Sequence, residues 1–149
     1  MYNNSTTNAN IRLKQDLAFG FRKEDEVLVQ IKTKFPDAVK NADNFSIHDY
    51  CDPTNLIDME LKSRKIKKGS YPTVMLGYNK LCTGRKRHNE GLNKRVIYFF
   101  GFVSKDGKGR DLWYWEDDFT TEWDIQWTGS NLEQPEQISL IPMDKLIKF

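Results

Sequence analysis

The sequence predicts a single domain of mixed α/β or α+β class, in which helices and strands alternate along the chain. A chain of 149 residues is long enough to bury one hydrophobic core. A hydrophobic fraction of 38%, with nine Phe, six Tyr and four Trp, argues against a disordered protein. Residues 1–9 are polar and are interpreted as a loose tail, so the domain is expected to span residues 10–149.

The first half of the chain predicts a helix followed by a hairpin. Apolar residues recur at helical spacing over residues 22–35, and Pro36 ends the pattern. Alternating apolar and polar residues over 45–50 and 56–62 indicate two strands. The segment Asp52–Asn55 between them has the composition of a tight turn, which favours antiparallel pairing of the two strands.

The second half predicts one more helix and several strands. Pro72 suits the first turn of a helix over residues 72–82, and a basic loop is expected over 84–94. The apolar run Arg95–Val103 is expected to be a central strand, with a hairpin partner at 112–115. Further strands are predicted at residues 122–127 and 137–142.

Composition argues against membrane-spanning and secreted proteins. The chain has no apolar run near the ~20 residues of a membrane span, and its N-terminus lacks the apolar core of a signal peptide. An intracellular protein without a membrane partner is therefore expected. Cys51 and Cys82 form no metal-ligand pattern and are interpreted as reduced thiols.

Positive charge is concentrated in a few places, although the formal net charge is only +2. Two dense basic runs are Lys62–Lys68 and Gly84–His88, with Lys94 and Arg95 close behind. Basic runs often form ordinary solvated surface. Two of them that flank one candidate site favour a polyanionic partner instead.

Two carboxylates and an amine are predicted to meet on the hairpin. Side chains alternate between the faces of a strand, so Glu60 and Lys62 share a face. Asp49 lies eleven positions before Glu60 across the turn, and a hairpin of that length can bring the two carboxylates side by side. Such carboxylates repel unless a proton or a divalent ion lies between them, and Mg²⁺ prefers a few carboxylates with waters and a substrate phosphate. The alternative is an exposed cross-strand ion pair.

A third carboxylate is predicted to face inward. Glu24 precedes Val27 by three positions and Leu28 by four, so it continues the apolar stripe of the first helix. An acidic residue there stabilises a helix N-terminus, or it reaches the site formed by Asp49 and Glu60. The residues alone leave both interpretations open.

This combination resembles the PD-(D/E)xK nuclease superfamily. The matching residues are Glu24 on the helix, Asp49 on one strand and Glu60-Leu61-Lys62 on the next. The resemblance covers roughly residues 20–115. More specifically, the chain resembles small, mostly uncharacterised members of the superfamily from large DNA viruses and phages.

The resemblance implies a restriction-endonuclease-like fold, in which helices flank a mixed β-sheet, and a metal-dependent endonuclease that hydrolyses DNA phosphodiester bonds. Asp49 and Glu60 would ligate Mg²⁺ or Mn²⁺ with help from the Leu61 carbonyl. Lys62 would position or polarise the attacking water, and Glu24 would orient a water ligand or a second ion. The cytoplasm or nucleus of a host cell is the location implied.

The resemblance also implies a set of phosphate contacts. Lys80, on the helix after the motif, would touch phosphate, and the basic runs would hold the nucleic-acid backbone. DNA is the expected polymer, with RNA left open. So small a chain would cut both strands as a homodimer, or else nick one. The predicted nucleic-acid-binding residues are Arg64, Lys65, Lys67, Lys68, Lys80, Arg85, Lys86 and Arg87.

Several alternatives accompany this interpretation. Asp52 replaces Asp49 as the ligand if the hairpin register differs. Asp58 is interpreted as a surface residue, His48 as a solvent or packing residue, and His88 as a phosphate neighbour. The alternative functions are an inactive nuclease fold that serves as a DNA-binding, virion or regulatory protein, and a protein-interaction domain.

Overall fold

A computed structural model describes residues 24–42, 48–128 and 135–149. These residues form two α-helices and two β-sheets, so the predicted mixed α+β class is confirmed. Helix α1 covers residues 24–31 and helix α2 is Tyr78–Asn89. The tail predicted over residues 1–9 and most of the strand predicted over 45–50 lie outside the described residues.

The described strands are numbered in chain order. They are β1 (Val39–Lys40), β2 (Tyr50–Asp52), β3 (Ile57–Lys67), β4 (Thr73–Gly77), β5 (Arg95–Val103), β6 (Arg110–Glu116), β7 (Asp124–Trp127), β8 (Gln137–Pro142) and β9 (Ile147–Lys148). Six of them form the main sheet in the order β1-β2-β3-β5-β6-β9, and the other three form a small sheet in the order β4-β8-β7.

The main sheet is mixed because one pair of strands is parallel. β1, β2 and β3 form an antiparallel meander, and β3 then pairs with β5 in parallel. A parallel pair needs a crossover connection, which α2 provides together with β4. β5 is the centre of the sheet, since its residues Val96–Phe102 are all buried.

The main sheet has a core on each face. One core joins α1 to the sheet through residues such as Val27, Ile31, Met59 and Phe99. The opposite core contains Val96, Tyr98 and Phe100 of the sheet and packs against α2 and the small sheet. Glu60 pairs in register with Tyr98, so Glu60 lies on the α2 side of the sheet.

The predicted helix over residues 72–82 and the predicted basic loop over 84–94 are wrong. Residues 73–77 form β4 instead, in which the buried Val74 and Leu76 alternate with exposed or half-buried neighbours and β8 supplies the pairing strand. The helix begins only at Tyr78 and continues through most of the basic run. It ends at Asn89, after which Gly91 adopts a positive φ of 74°.

The turn between β2 and β3 is closed by an acidic side chain. Asp52 Oδ1 accepts a hydrogen bond from the backbone N–H of Asn55 at 2.9 Å, and its Oδ2 accepts one from Asn55 Nδ2 at 2.8 Å. Leu56 then adopts a positive φ of 56° as the chain enters β3. In the described part of the chain, no helix is both long and apolar enough to cross a bilayer.

Candidate active site

The hairpin places Asp49 beside Glu60. Tyr50 pairs with Met59, and the same register continued by one residue puts Asp49 opposite Glu60. Asp49 Oδ2 accepts a hydrogen bond from the backbone N–H of Leu61 at 2.8 Å. This bond fixes the Asp49 carboxylate against β3 at the point where the described part of β2 begins.

Glu60 is a buried carboxylate with two unlike oxygens. Its residue is 2% exposed, and its Oε1 lies 3.2 Å from Lys62 Nζ and 3.6 Å from Lys80 Nζ. Its Oε2 is buried and has no hydrogen-bond partner among the described residues. Burial, together with the negative charge of Asp49, raises the pKa of Glu60 to about 7, although the two lysines oppose the shift.

Glu24 joins the first helix to the same group. Its backbone carbonyl accepts a hydrogen bond from Tyr50 Oη at 2.6 Å, which anchors the described start of α1 to β2. Its Oε2 lies 3.4 Å from Lys40 Nζ. Burial raises the pKa of Glu24, and the neighbouring Asp49 carboxylate raises it further through its charge and a side-chain hydrogen bond. Asp49 therefore lies between Glu24 and Glu60.

The donor set suits a small divalent cation in part. Within residues 24–42, 48–128 and 135–149, no group of three or more His, Cys, Asp or Glu side chains is arranged to hold a metal ion. Mg²⁺ needs fewer protein ligands than that, since one or two carboxylates, waters and a substrate phosphate commonly complete its shell. Two carboxylates of this kind are present: that of Asp49, and that of Glu60, whose Oε2 has no hydrogen-bond partner among the described residues.

The backbone of Leu61 is oriented toward the same place. Along an extended strand, the N–H and C=O of one residue point to the same side. The Leu61 N–H points to the Asp49 carboxylate, so its carbonyl is directed to that side of β3 as well. This orientation is compatible with the ligand role implied for the Leu61 carbonyl.

Asp52 is not beside Glu60. It pairs with Ile57 at the turn end of the hairpin, and both of its carboxylate oxygens are used by Asn55. Of the two candidate aspartates, Asp49 is the one that contacts the Glu60 region of β3.

The interpretation of Asp58 as a surface residue is wrong. Asp58 is 6% exposed and pairs with Arg87 of α2, with Oδ2 at 2.7 Å from Nε. The same oxygen accepts a hydrogen bond from Asn93 Nδ2 at 2.8 Å. The face shared by Asp58 and Glu60 is buried because α2 packs over it, and Arg87 compensates the Asp58 charge.

The predicted nucleic-acid-binding residues divide into two groups. Three arginines have internal partners: Arg85 binds both oxygens of Asp117, Arg87 binds Asp58, and Arg64 donates to the carbonyl of Met75. The lysines of the set, apart from Lys80 at Glu60, lie at exposed or half-buried positions. They are Lys65, Lys67, Lys68 and Lys86.

His88 is held in the fold as a packing residue. Its ring stacks on Phe119, with centroids 3.6 Å apart, and its Nδ1 lies 3.1 Å from the Asn93 carbonyl oxygen. The phosphate-neighbour interpretation of His88 has no support from this geometry.

Two residues beside the site give no signal in the sequence. Lys40 sits in a segment that looks like a polar loop, yet β1 pairs it with Tyr50 and so brings Nζ to Glu24. His48 is 4% exposed, and its Nε2 has no partner among the described residues. Burial lowers the pKa of His48. The contact of Lys40 depends on the pairing of β1 with β2, and the burial of His48 agrees with the packing alternative stated for it.

Comparison of the chain with protein-family models, with curated proteins and with solved structures found no match in any of the three. The geometry and charge of the site are therefore the basis for any function assigned to it.

Proposed function

We propose that the chain is a metal-dependent endonuclease that hydrolyses DNA phosphodiester bonds. The main support is the position of Asp49 beside Glu60 across the hairpin, with Lys62 on the Glu60 carboxylate and Glu24 of α1 close to Asp49. Glu60 is buried and Asp49 and Glu24 are half-buried, and carboxylates held this close favour a compensating cation or a shared proton. The two lysines supply part of that charge, and a divalent ion would supply the rest.

Each residue then has a role that its contacts suit. Asp49 and Glu60 would hold the ion, with the Leu61 carbonyl as a further ligand. A bound Mg²⁺ supplies positive charge that activates water and offsets the charge developing on the phosphate. Glu24, whose carboxylate is close to that of Asp49, orients water near it.

Lys62 and Lys80 complete the electrostatics of the site. Both ammonium groups lie within 4 Å of Glu60 Oε1, one from β3 and one from the first turn of α2. An ammonium group at this position can turn from the carboxylate to a phosphate oxygen or to the attacking water. Positive charge placed before the reaction stabilises the negative charge that develops during it.

The fold is consistent with this function. A mixed sheet with α1 on one face and α2 on the other is what the resemblance to PD-(D/E)xK nucleases implies. We propose the restriction-endonuclease-like fold on this basis. Fold alone does not fix an activity, so the site geometry remains the stronger support.

Plasmid cleavage tests the proposal. The protein is incubated with supercoiled plasmid and Mg²⁺ or Mn²⁺, beside Glu60→Gln and Lys62→Met variants, and nicked and linear products are measured on gels. Cleavage should require the metal and be lost in both variants. Glu122→Gln, an exposed carboxylate elsewhere, is the matched control and should cleave normally. Metal-independent cleavage, or full activity in Glu60→Gln, would contradict the proposal.

A DNA-binding protein without turnover is the second candidate. Two ammonium groups already compensate the Glu60 charge, and a non-catalytic scaffold can retain such an arrangement. Metal-dependent cleavage excludes this candidate. Binding of plasmid DNA without cleavage under any metal condition supports it.

A further inference from the structure

A group of lysines lies at the far end of the strand that contains Glu60 and Lys62. Lys67 ends β3 and pairs in register with Val103, which pairs with Arg110 across the sheet. Lys67 Nζ donates a hydrogen bond to the Lys105 carbonyl at 3.0 Å, so the end of β3 is tied to the β5–β6 turn. Lys67, Lys68, Lys105 and Lys108 are called the hairpin patch below.

The two segments that carry the hairpin patch are strongly basic. Residues 64–70 and 104–111 together contain seven Lys and Arg against two Asp, a net formal charge of +5, whereas the whole chain has +2. One of the two aspartates forms hydrogen bonds within the turn: Asp106 Oδ1 accepts them from Ser104 Oγ and from the Lys108 N–H. The remaining 134 residues therefore have a net formal charge of −3.

The partners observed for the patch lysines are a neutral carbonyl, an aromatic ring and, for Lys67 alone among them, the nearby Asp106 carboxylate. Lys67 Nζ donates to a neutral carbonyl, and Lys68 Nζ lies 4.1 Å from the centroid of the Trp113 ring. Lys105 and Lys108 are exposed. The arginines of α2 differ, since Asp117 and Asp58 neutralise Arg85 and Arg87.

Lys68 of the patch lies on the same side of the sheet as the candidate active site, whereas Lys67 pairs with Val103 and faces the other side at the sheet edge. Lys62 pairs in register with Phe100, and Phe100 pairs with Trp113. Phe100 and Trp113 belong to the core on the α2 side, so the ring beneath Lys68 faces the same way as Lys62.

The spacing matches a polymer of phosphates. Lys62 pairs with Phe100 and Lys67 with Val103, because β3 is irregular between Ser63 and Lys67. The two lysines are therefore three residues of β5 apart, roughly 10 Å along the strand at ~3.3 Å per residue. This equals about three nucleotide steps at ~3.4 Å each along duplex DNA. A phosphate held at Lys62 and one held at the patch can thus belong to the same duplex.

We propose that the hairpin patch binds the phosphate backbone of a DNA duplex about three base pairs from the candidate active site. The choice of DNA rests on the proposed function. The patch adds Lys105 and Lys108 to the expected phosphate contacts and removes Arg85 and Arg87, because their charges are already neutralised within the fold.

Equilibrium binding tests the proposal without catalysis. The affinity for a fluorescent duplex of about 20 base pairs is measured by anisotropy in EDTA, between about 50 and 200 mM salt. The variant is Lys67→Gln, Lys105→Gln, Lys108→Gln, and the matched control is Lys32→Gln, Lys94→Gln, Lys145→Gln, three exposed lysines elsewhere. The patch variant should bind at least about tenfold more weakly, and its salt slope should fall by about 3, whereas the control should match the parent protein.

The outcomes separate this inference from the nuclease proposal. Patch-dependent binding by a protein that never cleaves supports the patch and rejects the nuclease. Cleavage with unchanged affinity and salt slope in the patch variant overturns the patch. Competition by poly-glutamate as strong, per charge, as by the duplex assigns the patch to acidic proteins and overturns the inference too. Circular dichroism and the melting temperature confirm that both triple variants are folded.

Discussion

The Asp49 carboxylate accepts a hydrogen bond from the backbone N–H of Leu61 at 2.8 Å. In a regular sheet, a backbone carbonyl of the neighbouring strand would accept this bond. This bond holds a negative charge at the middle of β3, next to the buried Glu60. The site is thus organised by backbone hydrogen bonding as well as by side-chain packing.

Substitutions at the two aspartates of the hairpin should separate activity from stability. Asp49→Asn keeps a carbonyl acceptor for Leu61 but loses the charge, so we expect a folded protein that has lost metal-dependent cleavage. Asp52→Ala removes both contacts to Asn55 and should cost about 1–2 kcal/mol of unfolding free energy while cleavage is retained. Chemical denaturation and plasmid cleavage measure the two effects. The reverse pattern would make Asp52 the ligand.

Glu60 should make stability depend on pH. Its ordinary pKa of 4.5 is raised to about 7 in the fold, so between these values the folded state binds the extra proton. The free energy of unfolding should therefore fall as pH rises through this window, by about 3 kcal/mol in total. Glu60→Gln should remove this contribution. Denaturation of both proteins at pH 4.5–8 in metal-free buffer measures how their free energies of unfolding depend on pH. The same pH dependence in the parent protein and in Glu60→Gln would contradict this prediction.

Substitution of Arg87 should lower the free energy of unfolding more than it weakens nucleic-acid binding. Arg87→Met leaves the buried Asp58 carboxylate with Asn93 as its remaining hydrogen-bond donor among the described residues. We expect a loss of about 2–4 kcal/mol, because an uncompensated buried charge is costly. Lys86→Met, on the next and exposed position of α2, should change stability by less than about 0.5 kcal/mol. Similar stabilities for the two variants would argue against a structural role for the Arg87 pair.

Gly84 sets how closely α2 approaches β5. A Cβ at this position would lie 2.9 Å from Tyr98 Oη and 3.2 Å from Val96 Cγ1. Gly84→Ala should therefore destabilise the fold by about 1–3 kcal/mol and displace Lys80 from Glu60. Because Tyr98→Phe removes the nearer atom, the double variant should be more stable than the sum of the single effects predicts. Strict additivity would show that the Tyr98 hydroxyl is not the obstacle.

The parts of the fold that sequence predicts are those with strong local patterns. The apolar run Arg95–Val103 and its hairpin partner are strands as predicted. β4 could not be predicted in the same way, because the alternation of Val74 and Leu76 is short and the partner strand β8 comes from residues 137–142. The basic run could not be assigned to α2 from charge alone, since Arg85 and Arg87 face carboxylates that are distant in sequence.

In the candidate site too, local patterns predict some features, whereas others depend on tertiary contacts. Strand alternation and hairpin length are enough to predict that Asp49 lies near Glu60, because both depend on local geometry. The burial of Asp58 depends on the position of α2 over the sheet, which no local pattern encodes. The contact of Lys40 with Glu24 likewise depends on the edge strand β1, which is only two residues long.

The pairing of β4 with β8 also has a consequence for biosynthesis. Thr73 pairs with Pro142 and Gly77 with Ile138, so the small sheet cannot assemble until the ribosome has released residues 137–142. Until then, the nascent chain exposes the apolar side chains of Val74 and Leu76 beside an unpaired strand edge. A chaperone that binds short apolar segments would find its target there during translation and lose it once β8 is in place.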